Sequence, residues 1–131
     1  MRRMITLVVI AALAFAALAA TAAARTESKF SLVEIAKSAH RVGNHVVTTG
    51  LLVVPGDRDD VVGHDHVKFS RKGNIHAVVH FPDGALRAQG NANANRIIIV
   101  GGSGRWNGAA GKINFRSLTH RKTLLRFAIV Q

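Results

Sequence analysis

Beyond residue 25 apolar and polar positions alternate. Ile75, Ala77, Val79 and Phe81 stand two apart with His76 and His80 between them, the period that sends one row of side chains to each face of an extended strand. Comparable β-branched runs, bounded by Gly, Pro, Asn and Asp, recur at short intervals, and helical periodicity is nearly absent. The pattern predicts eight strands, near 29–37, 45–54, 64–70, 75–81, 85–94, 96–100, 112–118 and 123–130, with a polar loop Pro55-Gly56-Asp57-Arg58-Asp59-Asp60 after the second.

Opposed side chains share a face, so alternation also predicts pairings. A tight Asp83-Gly84 turn sets Phe81 opposite Leu86, Val79 opposite Ala88 and Ala77 opposite Gly90. A loop at Lys72-Gly73-Asn74 sets Phe69 opposite Ala77 and Val67 opposite Val79, with His66 opposite His80 on the other face. A hairpin around His120-Arg121-Lys122 pairs Phe115 with Phe127 and Ile113 with Ile129, leaving Arg116 opposite Arg126. An antiparallel meander with one apolar face most simply closes on itself, so the expected fold is all-β, a small eight-stranded antiparallel barrel, with a β-sandwich as the alternative.

Composition divides the chain in two. Of the first 24 residues 20 are apolar, with Arg2 and Arg3 ahead of an uncharged run from Ile5 to Ala20 and Thr21-Ala22-Ala23-Ala24 behind it. That order of charge, apolar run and small residues is the order of a secretory signal peptide, with cleavage expected after Ala24. The run is shorter than the roughly 20 residues that span a bilayer comfortably, which makes a retained anchor the lesser reading. The expectation is therefore a signal segment over 1–24, one barrel domain over 25–131, and a secreted, extracellular protein. With 131 residues there is no room for a second domain, and with no cysteine there is no disulfide, lipid attachment or thiolate chemistry.

Two stretches carry a recognisable pattern. Phe81-Pro82-Asp83-Gly84-Ala85-Leu86-Arg87-Ala88-Gln89-Gly90 is followed by Ile98-Ile99-Val100-Gly101-Gly102-Ser103-Gly104-Arg105-Trp106-Asn107-Gly108-Ala109-Ala110-Gly111. This resembles the later part of the allene oxide cyclase and dirigent barrel superfamily, where a Pro-x-Gly turn and a strand ending in Gln-Gly precede a Gly-Gly-[Ser/Thr]-Gly-x-aromatic-x-Gly-Ala-x-Gly segment and two closing strands. The resemblance covers roughly residues 28–131 and looks most like the short exported bacterial members. It implies an eight-stranded barrel whose cavity accepts a small hydrophobic molecule, with cyclase or isomerase-type chemistry or dirigent-type orientation of radicals, no cofactor, and barrels that often associate as homo-oligomers. The chain differs from those families in having no tyrosine and few acids, only Glu34 and Asp65 of its carboxylates falling on predicted strands.

Candidate chemistry is sparse. Phe69, Phe81, Trp106, Phe115 and Phe127 are the expected lining or lid of the cavity, with Trp106 at one barrel end. Glu34 is the candidate catalytic acid if the series Phe30, Leu32, Glu34, Ala36 turns inward, because a carboxylate in an apolar cavity has a raised pKa suited to proton transfer; Ser31, Val33 and Ile35 are the competing inner series. A phosphate cradle at the glycine-rich segment would need a helix after it, and a strand follows instead, so Gly101, Gly102, Ser103, Gly104, Gly108 and Gly111 are assigned to structure. The seven histidines bring His64, His66, His76 and His80 to one polar face, read as solvated surface with no metal site. The charge, 18 Lys+Arg against 7 Asp+Glu, is spread over strands and turns and densest at the closing hairpin. Lys112, Arg116 and Arg126 there form a candidate anion patch, which suggests a second function: a non-catalytic module that binds extracellular polyanions. Aromatics are too few for a stacking platform, so no specific nucleic acid is expected.

Overall fold

A computed structural model describes residues 25–94 and 96–131. The expected signal segment lies outside the described residues. Eight strands follow in chain order: β1 (Glu27–Val42), β2 (His45–Val54), β3 (Asp57–Ser70), β4 (Asn74–Phe81), β5 (Gly84–Asn91), β6 (Arg96–Gly104), β7 (Ala110–Thr119) and β8 (Lys122–Val130). Each pairs antiparallel with the next, and β1 pairs with β8 from Glu27 opposite Val130 to Ile35 opposite Lys122, which closes the barrel. The sandwich is thereby excluded.

The apolar rows meet inside. Leu32, Leu52, Ile75, Ala77, Val79, Leu86, Ala88, Ile97, Ile99, Ile113, Leu125 and Ile129 form one buried cluster drawn from seven strands and joined by β3 through Val67 and Phe69. Alternation thus predicted faces correctly but pairings two residues out. Val79 stands opposite Leu86 and Ala77 opposite Ala88, because the turn is Pro82-Asp83, where proline presets the first turn residue. In β3–β4, Phe69 pairs with Ile75 and His64, not His66, faces His80. The reason is a turn closed by Gly73 N–H donating to the Ser70 carbonyl at 3.0 Å, with Gly73 at φ 87°. In β7–β8, Ile113 pairs with Phe127 and Phe115 with Leu125, while Arg116 faces Leu124 and Arg126 faces Asn114. The turn is the two residues His120-Arg121, which moves the register by one, and a bulge between Ser117 and Thr119 moves it by one more. A two-residue slip keeps every side chain on its own face, which is why the core forms as expected.

Four boundaries also move. Strand β1, expected to end near 37, runs on to Val42. Asp57–Asp60 belongs to β3, since Pro55-Gly56 alone makes the turn and the two strands run on as a ribbon. Ala92–Ala94 is a single 3-10 turn rather than the end of a strand. Strand β6 continues through Gly104, so the motif Gly101-Gly102-Ser103-Gly104 is itself sheet, paired with Gly84–Arg87. Its glycines serve close approach: a side chain at Gly102 would strike the carbonyl oxygens of Ala85 and Trp106, and one at Gly111, at φ 141°, would strike that of Ala128.

Candidate functional site

The inner row of β3 reads Asp65, Val67, Phe69. Asp65 is 3% exposed and is the one fully buried ionisable side chain among the described residues. Gly50 on β2 stands opposite it, with Glu34 of β1 opposite Leu52 two residues along. A Cβ at Gly50 would lie 2.8 Å from Glu34 Cγ and 3.0 Å from Asp65 Oδ1. The absent side chain is therefore the space in which two carboxyl groups from β1 and β3 meet. The series Phe30, Leu32, Glu34 is the inner one, and the candidate acid faces the interior with a second acid beside it.

Burial governs the electrostatics of Asp65. Desolvation first, then a hydrogen bond to Glu34 and the repulsion of its charge, push the Asp65 carboxyl from 3.8 up to about 9, with the Gly50 backbone opposing. Asp65 thus carries a proton at neutral pH. Its Oδ1 is buried with no hydrogen-bond partner, so the pair holds an unmet polar atom at the wall of an otherwise apolar space.

That space is a cavity of about 180 Å³. Val67, Phe69, Ile75, Val79, Ile113 and Phe115 supply its apolar wall, and Thr48, Ser117 and Thr123 add hydroxyls beside the two acids. Engineered apolar cavities of about 150 Å³ take up benzene, so this chamber suits a molecule of about one ring.

The five aromatic residues expected to line a single cavity divide between two places. Phe69 and Phe115 line the acidic chamber. Phe81, Trp106 and Phe127 join Phe30 in an aromatic cluster, with Phe30 stacked on Phe127 at 4.7 Å and Phe81 5.8 Å from Trp106. Phe30, Phe81 and Trp106 border a separate open groove of about 530 Å³, where Arg105 lies 4.7 Å over the indole ring and pairs with Asp83 at 3.3 Å. Phe127 is buried core. On the outer surface Arg116 and Arg126 border one shallow depression around Asn114, and Lys112 borders the next with Arg126. Asp65 is the residue that sequence reasoning missed, although its two-residue spacing from Val67 and Phe69 places it inside.

No protein-family model matches the chain, and no curated protein matches its sequence. Solved structures do. The chain is similar to pyocyanin demethylase at TM-score 0.63 and 14% identity, over 78% of this chain and 99% of that one. It is similar to a pterocarpan synthase dirigent protein at TM-score 0.54 and 14% identity, over 81% and 84% of the two chains. It is also similar to a nonspecific heme-binding cyclase of neoabyssomicin biosynthesis at TM-score 0.54 and 18% identity, over 87% and 68%. What these likenesses show is the fold alone, a closed antiparallel β-barrel.

Proposed function

We propose that the barrel binds a small, mostly apolar molecule in the chamber between Phe69, Phe115 and the acid pair, and that Asp65 and Glu34 transfer protons to and from it without a cofactor. The single observation that carries this reading is a buried aspartic acid beside a second carboxyl at the wall of an apolar cavity. Such a pair separates an acid from a base by environment alone. Asp65 donates its proton to a carbonyl, epoxide or phenol oxygen of the bound molecule. Glu34 accepts the proton that leaves as the new bond or double bond forms, and transfer between the two carboxyls restores the starting state. The reaction class is an isomerisation or cyclisation, and the alternative within the same chamber is dirigent-type orientation of a reactive guest. Similarity in fold to a cyclase and a dirigent protein supports both. The order of residues 1–24 supports export as the route to that substrate.

A second reading rests on a different observation: Arg116 and Arg126 border the same surface depression and belong to neither of the ion pairs present among the described residues. That arrangement suits an extracellular polyanion. The experiment that separates the readings is calorimetric titration of wild type and Asp65→Asn with single-ring enones, epoxides and phenols, with nuclear magnetic resonance of the recovered ligand. Saturable binding by wild type with exchange or rearrangement lost in Asp65→Asn is expected. Absence of binding across the panel overturns the chamber reading.

A further inference from the structure

The face of β3 opposite Asp65 carries His64 and His66, and β4 carries His80. Alternation puts the first two on one side of a strand, about 7 Å apart along it. The ladder sets His80 directly opposite His64, where the Cβ atoms of a cross-strand pair are about 5 Å apart. Three imidazoles therefore stand at the corners of a triangle fixed by backbone hydrogen bonds, independent of any loop. Their rings crowd together: His64 and His80 are stacked at 4.9 Å, His66 lies 5.8 Å from His80 and 6.0 Å from His64. One ring nitrogen from each lies within 4.8 Å of the other two.

We infer that His64, His66 and His80 form a solvent-facing site for a borderline divalent transition-metal ion, with Zn²⁺ and Cu²⁺ the species it suits. Tetrahedral coordination at a metal–nitrogen distance of about 2.0–2.1 Å needs ligand nitrogens about 3.4 Å apart. Side-chain rotation covers the difference, because His64 and His66 are exposed and free to turn, while the strands stay fixed. An all-imidazole set selects Zn²⁺, Cu²⁺ or Ni²⁺ over the oxygen-seeking Mg²⁺ and Ca²⁺. Three protein ligands leave one position for water or a small anion. The site lies on the outside of the barrel wall from the acid chamber and is independent of it.

The test is titration of the untagged protein with Zn²⁺, and separately with Cu²⁺, by calorimetry, with electron paramagnetic resonance of the copper form. One equivalent should bind, with nitrogen hyperfine structure from coordinated imidazole. His64→Asn, His66→Asn and His80→Asn should each weaken binding at least about tenfold. His76→Asn, on the same outer face of β4 but outside the triad, should bind as wild type does. Thermal melts without metal check each variant, and the exposed His66 supplies a variant whose fold has little to lose. No binding of either ion by wild type overturns the proposal. So does one-equivalent binding that survives in folded His66→Asn and His80→Asn, which would place the ion elsewhere.

Discussion

Gly50 and Asp65 face each other across β2 and β3, and what Gly50 lacks is what Asp65 occupies. Alanine at position 50 would bring its Cβ against Glu34 Cγ and Asp65 Oδ1 at or inside contact distance. Overpacking of this kind costs about 1–3 kcal/mol. Urea denaturation of Gly50→Ala should show a loss in that range together with a change in the titration of Asp65. A variant as stable as wild type, with Asp65 titrating unchanged, would mean that the two carboxyls do not depend on this space.

Stability should report the proton on Asp65. Its carboxyl titrates near 3.8 when exposed and near 9 in the fold, so between those values the folded state holds a proton that the unfolded chain has released. The contribution is complete below about pH 4, falls as pH rises, and levels off above about pH 9. Asp65→Asn cannot ionise and should lack that fall. Measured against wild type, the variant should therefore gain in relative melting temperature from pH 4 to pH 9. A difference that is flat across this range would show that Asp65 is ionised in the folded protein.

The fold was legible because period two is a local property. Ile75, Ala77, Val79 and Phe81 need no partner to declare a face, and eight such rows leave few ways to bury them. Pairing is a property of turns, and Pro82-Asp83 and Gly73 each moved the register by two without moving any residue off its face. The acid pair is less local still. Asp65 belongs inside by its spacing from Val67 and Phe69, yet its meeting with Glu34 depends on Gly50 lying between β1 and β3, which no stretch of sequence displays. The histidine triad falls between these cases: the shared face is readable from spacing, whereas the directly opposed pair, His64 with His80, follows only from the turn at Gly73.

Separation of the aromatic residues gives a test of where a guest sits. Phe115 lines the acid chamber, and Trp106 belongs to the aromatic cluster and its groove. A chamber ligand should leave Trp106 emission nearly unchanged, and Phe115→Arg should weaken its binding at least tenfold, about 1.4 kcal/mol, by filling the space and pairing with the acids. Saturable quenching of Trp106 that survives Phe115→Arg would move the binding site to the groove beside Arg105.

The closing hairpin allows the polyanion reading to be tested against the general charge of the protein. Arg126 pairs with Asn114 and Arg116 with Leu124, so the two guanidinium groups stand diagonally, both exposed, around one depression. Diagonal neighbours in a sheet are about 7–8 Å apart, inside the Debye length of about 8 Å at physiological salt, and such cations act together on a bound polymer. Binding carried by several cations weakens linearly in its logarithm with the logarithm of salt concentration, by a slope set by the number of contacts. Arg116→Ala/Arg126→Ala and a control, Arg41→Ala/Arg71→Ala, remove the same charge from exposed positions. On an anionic matrix at two salt concentrations the first should elute earlier than the control and lose more of the slope. Equal elution would reduce the hairpin to two ordinary charges and leave the acid chamber as the functional centre.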